Sequence, residues 1–328
     1  MDERKFRISP RFSYVVTKSI DGIDGGGSTA WWGCRAAKTF GHCSEALCPS
    51  STLVTEEEFV NAPISASAYF AGYGLRTQYY QRLFTVEDCM YAIFNNGGIQ
   101  VSFDCFEDIY STKDGYIHLP NVGEKANGSH SVMVYGYSMT DKVFKFVNSW
   151  GESWGSKGHG TLPFSYFEEG LVSEAWASVI YGKPTGDEKV IILKNSLSEK
   201  FKICVNIWKP LRSTKHPLVS FDIYSSKNIM IGFIHVSCDD ELSLEIEDLY
   251  ILPDYQSLGF GTATLKQLEN NARKDGIRKI IGWVSTQDII GSREKSVLDF
   301  LTFHKYKVVR DNTHYRDSYY KFEKVLSS

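Results

Sequence analysis

The stretch Phe144-Lys-Phe-Val-Asn148-Ser-Trp150-Gly-Glu-Ser-Trp154-Gly decides the fold of the first half of this chain. Its first residues alternate as in a half-buried strand, which delivers the side-chain amide of Asn148 to a tight turn flanked by two tryptophans. His130 lies 18 residues upstream. A histidine that acts as a general base needs one tautomer and one orientation, and an amide oxygen that accepts its N–H fixes both. The sequence therefore predicts a catalytic His130–Asn148 pair, with Trp150 lying over it and excluding water.

These two segments resemble the papain-like (C1-type) cysteine peptidases, in which a histidine strand and an Asn-Ser-Trp-Gly turn serve a cysteine nucleophile. The likeness continues upstream through residues 86–104 and 106–117, and in total it covers about residues 10–182. The resemblance implies a papain-like two-lobed domain, with a helical lobe followed by a β-barrel lobe. It also implies a peptide or protein substrate.

The nucleophile is where the sequence departs from that family. In the family it opens a helix after a glycine-rich turn and precedes a tryptophan, and the segment that resembles this arrangement is Asp24-Gly-Gly-Gly-Ser-Thr-Ala30-Trp31. Ala30 thus stands where the thiolate belongs, and since a methyl group cannot attack a carbonyl, the chain as written is expected to lack peptidase activity. Three explanations stay open: an inactivating Cys-to-Ala substitution, which we favour, a natural pseudo-peptidase, or a displaced nucleophile at Cys34. For Cys34, packing as a small buried residue is the simpler role.

Asp24 is a second departure, because the resemblance implies at this place a glutamine that donates its amide to the oxyanion. A carboxylate would repel the developing negative charge, so the N–H groups after Ala30 would have to stabilise the oxyanion alone. The spacing is short as well. His130 and Asn148 follow Ala30 by 100 and 118 residues, against roughly 130–150 expected.

Composition limits the remaining possibilities. A length of 328 residues suits two domains. The net charge of −3 and the lack of a basic run predict neither nucleic acid nor a membrane as a partner. The odd number of seven scattered cysteines predicts mostly reduced thiols and no metal site, although Cys43 and Cys48 could form a local disulfide. With no apolar signal region at the start, we expect a cytoplasmic protein.

Gly182-Lys-Pro-Thr-Gly-Asp-Glu188 is a polar joint that marks the best domain boundary. We predict a papain-like domain over residues 1–182, a linker over 183–189 and a second domain over 190–328. The second domain is predicted to hold a mixed, mostly antiparallel sheet with helices, which makes the whole chain α+β. Its predicted strands are 217–224, 230–237, 242–252, 279–284 and 319–325, and its predicted helices are 262–274 and 294–303.

The junction Ile251-Leu-Pro-Asp-Tyr-Gln256-Ser-Leu-Gly259-Phe-Gly261-Thr262 joins a strand to a helix through a glycine turn. Such a junction points backbone N–H groups and the positive end of the helix dipole at one spot, which suits a diphosphate. A plain turn would explain the two glycines alone. With the Leu-Pro-x-Tyr before them, however, the frame Gln-x-x-Gly-x-Gly resembles the acetyl-CoA signature of the GNAT N-acetyltransferases. That resemblance implies acetyl-CoA as the cofactor, bound by Leu249, Tyr250, Ile251, Gln256, Ser257, Leu258, Gly259, Phe260, Gly261 and Thr262.

Acetyl transfer needs a base for the amine proton and often an acid for the leaving thiolate. Three carboxylates lie on the strand before the junction, and alternation predicts that Glu245 and Glu247 point together, away from Asp248. We favour Glu247 as the base, with a solvated strand carboxylate as the plain alternative. Leu301 stands where the resemblance implies a tyrosine that acts as the general acid, so His304, Tyr306 or water could serve as the acid instead.

Two functions remain from the sequence. The first is a bifunctional enzyme, a papain-like cysteine peptidase coupled to an acetyl-CoA-dependent N-acetyltransferase that modifies the newly exposed amine. The alternative is a catalytically silent papain-like module that presents an amine substrate to the acetyltransferase, or a first half that performs non-proteolytic amide or acyl transfer.

Overall fold

The computed structural model of this chain describes residues 7–50, 55–180, 184–212, 217–240, 242–285, 293–311 and 319–326. Over these residues the chain is α+β, with eight α-helices and two mostly antiparallel sheets, so the predicted fold class is confirmed. The helices are α1 (Pro10–Asp21), α2 (Ala30–Thr39), α3 (Glu56–Asn61), α4 (Ala66–Gly74), α5 (Val86–Asn96), α6 (Ser165–Glu168), α7 (Phe260–Lys274) and α8 (Arg293–Phe303). Among them, none combines the length and the apolar character that crossing a bilayer demands.

The first half forms one six-stranded sheet with the strand order β1-β6-β2-β3-β4-β5. Its strands are β1 (Tyr79–Arg82), β2 (Ile99–Cys105), β3 (Gly128–Ser138), β4 (Val143–Val147), β5 (His159–Pro163) and β6 (Val172–Val179). Strands β3 and β4 are antiparallel, with Met133 opposite Val147. The chain that leaves β4 therefore returns beside the start of β3, which brings Asn148 to His130.

The second half forms an eight-stranded sheet with the order β13-β14-β12-β11-β10-β9-β8-β7. Its strands are β7 (Lys189–Lys194), β8 (Lys200–Trp208), β9 (Leu218–Tyr224), β10 (Met230–Asp240), β11 (Ser243–Ile251), β12 (Lys279–Ser285), β13 (Lys307–Asp311) and β14 (Tyr319–Val325). All the strands and helices predicted for this half are present, and β7, β8 and β13 are added to them. Strands β11 and β12 are parallel neighbours, which requires a crossover connection, and α7 supplies it.

One face of the eight-stranded sheet packs against α7 and α8, in a core that includes Ile246, Leu265 and Leu301. The opposite face packs against the first half of the chain. Trp32 of α2 lies edge-on to Tyr250, with ring centroids 6.0 Å apart. The two halves therefore share a buried core, and α2 covers the second face of the eight-stranded sheet.

The predicted joint between the halves falls partly outside the described residues, at 181–183. Where the chain is described again, the backbone N–H of Thr185 bonds to the carbonyl of Ile207 at 2.7 Å. Tyr79 of β1 stacks on Trp208 of β8 with ring centroids 4.7 Å apart. The interface between the two halves thus includes both α2 and β1 of the first half.

Candidate active sites of the two halves

His130 and Asn148 form the hydrogen-bonded pair that the sequence suggests. The imidazole Nε2 lies 2.8 Å from Oδ1 of Asn148, and the same oxygen accepts the N–H of Ser149 at 2.8 Å. The amide of Asn148 is 8% exposed. An oxygen can only accept, so Nε2 carries the proton and Nδ1 carries the lone pair that a general base needs.

Trp150 covers this pair from one side. Its ring stacks on His130 with centroids 4.6 Å apart and an interplanar angle of 30°. Tyr110 stacks on Trp150 at 5.5 Å, and Trp154 meets it edge-on at 5.7 Å. The imidazole is thereby shielded on one face by a layer of aromatic rings, which is the geometry expected of a site wall.

Ala30 is the first residue of α2, and its backbone N–H has a partner that the sequence analysis missed. Oε2 of Glu174 in β6 accepts this N–H at 2.8 Å, and the N–H of Trp31 also bonds to Glu174. Burial raises the pKa of Glu174, against the lowering effect of Arg82 and of these two N–H groups. The available signal was the single charged residue in the strand Val172–Val179.

Ala30 and His130 are held by different elements, since Ala30 opens α2 beside β6 and His130 lies in β3. Ser102 of β2 lies opposite Ser131 of β3 on one side and opposite Glu174 of β6 on the other. The strands that hold Glu174 and His130 are thus two inter-strand spacings apart, or about 10 Å. The structure brings His130 and Asn148 together, and it gives the start of α2 a carboxylate as its partner.

Cys34 and Asp24 occupy contrasting environments. Cys34 is 7% exposed, and burial raises the pKa of its thiol, with Glu174 and Asp248 adding to the effect. A thiol held protonated in this way is a poor nucleophile, so the packing role weighed for Cys34 fits its surroundings. Asp24 is exposed on the glycine-rich loop between α1 and α2. None of the seven cysteines, all of which are described, is in a disulfide bond.

In the second half, β11 and β12 diverge beside the predicted cofactor residues. Their pairing runs from Ser243 opposite Lys279 to Ile246 opposite Gly282, whereas β11 continues to Ile251 and β12 to Ser285. Within the described strands, residues 247–251 thus have β10 as their neighbour on one side and a gap on the other, where β12 has left β11. An extended ligand could bond to the backbone along this open edge, as an added strand does.

The open edge of β11 leads directly to the N-terminus of α7. The N-cap Gly259 has a left-handed backbone with φ of 88°, and no side chain caps the helix. Gln256 closes the preceding turn by donating its Nε2–H to the carbonyl of Ile251 at 2.8 Å. Leu258 is held by Ser196, whose hydroxyl donates to its carbonyl at 2.6 Å. The first N–H groups of α7 have no intrahelical acceptor and are available to an anion.

Glu247, the predicted base, is placed by a β-bulge. His235 of β10 pairs with Asp248 and Val236 pairs with Ile246, so Glu247 is the extra residue. Because a bulge interrupts side-chain alternation, both Glu247 and Asp248 reach the first half of the chain, where they bond to Gln81 and Tyr80. Glu245 and Glu247 do point together, since Arg212 lies 3.7 Å from Glu245 and 3.0 Å from Glu247. The prediction that they point away from Asp248 was wrong.

The two candidate acids are both buried. Nε2 of His304 lies 3.1 Å from the hydroxyl of Thr262 in the first turn of α7, and burial lowers the pKa of this histidine. Tyr306 donates its hydroxyl to Glu269 at 3.2 Å, and burial raises its pKa. Tyr306 therefore belongs to the core, whereas His304 lies one hydrogen bond from the predicted cofactor residues.

Comparison with known proteins gives two family matches. Residues 61–200 match the family model described as papain family cysteine protease, and residues 194–290 match that of the acetyltransferase (GNAT) family. Both predicted resemblances are confirmed over these ranges, and both families consist of enzymes. The papain-family match contains His130 and Asn148 but begins after Ala30.

Individual relatives match parts of the chain. An uncharacterized peptidase C1-like protein of Acanthamoeba polyphaga mimivirus is 34% identical over 95 residues, which are 28% of this chain and 30% of that protein. A cathepsin B-like cysteine proteinase 3 of Caenorhabditis elegans is 27% identical over 137 residues, 40% of this chain and 36% of that protein. The chain thus spans about a third of the length of these curated relatives.

Two solved structures are similar to parts of this chain. Xylellain, a cysteine protease from Xylella fastidiosa, has a TM-score of 0.48 at 19% identity and covers 54% of this chain and 71% of its own. A PaiA N-acetyltransferase from Thermoplasma acidophilum, solved in complex with coenzyme A, has a TM-score of 0.28 at 20% identity and covers 33% of this chain and 60% of its own.

Proposed function

We propose that this chain is an acyl-CoA-dependent N-acyltransferase whose papain-like half is proteolytically silent and serves the transferase. The observation that carries the proposal is the gap between β11 and β12, which opens directly onto the uncapped N-terminus of α7. The match of residues 194–290 to the GNAT family supports it. The proposal includes acetyl-CoA as the acyl donor, residues 1–182 and 190–328 as the two domains, and a cytoplasmic location.

The residues at this junction fit an acyl-CoA. A diphosphate needs backbone N–H donors and a positive field, and the first turn of α7 offers both. A Cβ on Gly261 would come only within 3.6 Å of Ile251, so there is ordinary space over that turn. Pantetheine carries amide groups, and the open edge of residues 247–251 offers backbone partners for them. When bound, the cofactor would supply an acyl group activated as a thioester.

The chain's own residues then have to handle one proton. The amine nitrogen forms the new C–N bond, the C–S bond breaks, and the amine gives up a proton. Glu247 is the proposed acceptor of that proton, which it passes on to solvent, while the leaving thiolate takes one proton from solvent. The balance is one amine and one thioester converted into one amide and one thiol, with no oxidant or reductant.

The surroundings of Ala30 support silence of the papain-like half. Acyl transfer to a nucleophile at the start of α2 would require N–H donors for the oxyanion. Glu174 already accepts the N–H groups of Ala30 and Trp31. An oxyanion would have to displace a carboxylate from these donors and would meet its negative charge. The aromatic layer over His130 can still serve to hold a peptide, and a peptide or protein is the acceptor class we propose.

A second candidate function, peptide hydrolysis, is favoured by one observation, the 2.8 Å contact between His130 and Asn148. The two functions predict different results for the variant Ala30→Cys. A latent peptidase would gain hydrolysis of peptide substrates with this single change. A silent module would gain none, and its acyl transfer would stay at the level of the unsubstituted chain.

The proposed function is tested by calorimetry with acetyl-CoA on the full chain, followed by an assay for free CoA thiol. A mixture of tetrapeptides with free N-termini serves as the acceptor probe, and mass spectrometry reads the acetylated products. We expect saturable binding, with thiol release that depends on the peptides. No binding of acetyl-CoA, or binding without transfer to any peptide, would overturn the assignment as an N-acyltransferase that acts on peptides.

A further inference from the structure

Gln81 connects the first half of the chain to Glu247. It lies in β1 and is completely buried, with 0% of its surface exposed. Its side-chain Nε2–H donates to Oε1 of Glu247 at 2.8 Å. Its own Oε1 accepts the backbone N–H of Leu211 at 2.8 Å. The amide of Gln81 is thus fixed at both ends, and it reaches across the interface between the two halves.

The same oxygen of Glu247 has a second anchor. Arg212 donates to Oε1 of Glu247 at 3.0 Å and to the hydroxyl of Ser237 at 3.3 Å. Its guanidinium carbon also lies 5.3 Å from the ring centre of Phe84, which belongs to the first half. Oε1 is therefore held from two directions, by an amide and by a cation.

The other oxygen of Glu247 is left open. Across the described residues, Oε2 of Glu247 is buried and has no hydrogen-bond partner. A buried carboxylate oxygen without a partner is costly, so it needs an explanation, and a ligand or proton received at this atom supplies one. The bulge at Glu247 lies at the point where β11 leaves β12, next to the edge offered to the acyl-CoA.

We infer that Gln81 is a positioning residue for the transferase, supplied by the papain-like half. By holding Oε1 of Glu247, it aims Oε2 at the amine whose proton must be removed. The inference rests on the proposed function and explains why the two halves are joined in one chain. The first half completes the acyl-transfer site, since β1 delivers to Glu247 a hydrogen bond that the second half does not provide.

The test compares Gln81→Met with Gln78→Met in the full chain. Methionine keeps the length of glutamine and removes its hydrogen bonds. Gln78 is the matched control, because its side chain bonds within the first half, to the carbonyl of Arg76 at 3.1 Å. We expect Gln81→Met to lower kcat for acetyl transfer to the tetrapeptide mixture by about 10- to 100-fold, the cost of a misplaced catalytic group. We expect the KM and the calorimetric Kd for acetyl-CoA to stay within about 2-fold, and Gln78→Met to match the parent.

A double-mutant cycle separates positioning from general stability. Glu247→Gln should lower kcat by about 100-fold or more, and in that background Gln81→Met should change kcat by less than about 2-fold, because Gln81 acts through Glu247. A parallel cycle on unfolding midpoints in urea reads the contact without activity, and it should be non-additive for the same pair. Full kcat in Gln81→Met, or fully additive effects on kcat, overturns the inference while the proposed function stands. A parent chain that does not transfer acetyl overturns both.

Discussion

Arg35 of α2 and Asp248 of β11 form a buried ion pair between residues 213 positions apart in the sequence, with Nε of Arg35 3.0 Å from Oδ2 of Asp248. The guanidinium also bonds to Oδ1 of the same carboxylate. Its carbon lies 3.3 Å from the ring centre of Trp31, and Tyr80 donates its hydroxyl to Asp248. The pair ties α2, which packs on the eight-stranded sheet, to β11 of the second half.

The variant Asp248→Ala should destabilise the whole chain, because it leaves a guanidinium buried without its counter-ion. Breaking one partner of a buried pair costs about 3–5 kcal/mol. Chemical unfolding in urea measures the loss. Since the two halves share a core, we expect both to unfold together in one transition at a lower urea concentration.

The control for this variant is Glu323→Gln, which breaks a partly exposed pair with Lys279 at 3.0 Å. Solvent and salt screen an exposed pair, so this change should be nearly neutral. If Asp248→Ala were as mild as the control, or if it unfolded one half only, the Arg35–Asp248 pair would not be what joins the halves.

His235 should make stability depend on pH. It is 0% exposed, and across the described residues neither ring nitrogen has a hydrogen-bond partner. Burial lowers its pKa well below 6.5, helped by the charges of Lys38 and Arg35, whose counter-ions are Asp222 and Asp248. Below about pH 6.5 the unfolded chain takes up a proton that the folded chain refuses, so stability falls as the pH is lowered. The limiting slope is about 1.4 kcal/mol per pH unit.

The variant His235→Phe removes this proton and should flatten the part of the pH dependence between about pH 6.5 and 5. Urea midpoints at four or five pH values in that range provide the measurement. His118→Gln, a change at an exposed histidine, is the control and should follow the parent. Equal slopes for the parent and His235→Phe would show that His235 is protonated in the folded chain or that it has a partner there.

Gly261→Asp separates cofactor binding from stability. An acid in the first turn of a helix is favourable by about 0.3–1 kcal/mol through the helix dipole, so α7 should fold normally. The same carboxylate would repel a diphosphate bound to the first N–H groups, and the affinity for acetyl-CoA should fall by at least about 10-fold. Calorimetry and a thermal melt measure the two effects.

Lys266→Gln gives the same change of net charge at an exposed position of α7, one turn further along. It should bind acetyl-CoA like the parent. Retained affinity in Gly261→Asp, with an intact melting curve, would place the diphosphate away from this helix end. A similar loss in both variants would point to overall charge and not to the first turn.

The thiol introduced by Ala30→Cys should react slowly with alkylating agents. Ala30 is 4% exposed, and Glu174 lies at its N–H, so burial and a nearby acid both oppose the thiolate. We expect alkylation by iodoacetamide at least about 10-fold slower than for Ser111→Cys, a change at an exposed position. Adding Glu174→Gln should speed the reaction by removing the acid. Mass spectrometry of the labelled protein gives the rates, and fast labelling with peptide hydrolysis would restore the peptidase interpretation.

Much of each candidate site could be predicted because its parts are close in the sequence. His130 and Asn148 lie on neighbouring strands of one hairpin, so antiparallel pairing alone brings them together. The turn from Ile251 to Thr262 joins a strand to the next helix, and its Gly259 marks where a left-handed backbone is needed. Secondary structure in the second half followed from the same local patterns of apolar residues.

The sequence by itself determined the two family resemblances, five strands and two helices of the second half, and the pair of His130 with Asn148, since short-range pairing and periodicity encode them. Only the tertiary structure decided the partners of α2 and β11. Glu174 meets Ala30 across 144 positions, and Gln81 meets Glu247 across 166. Contacts at such separations depend on how one sheet face packs on another layer. A single bulge in β11 also put Glu247 and Asp248 on the same side of the strand, which alternation in the sequence cannot report.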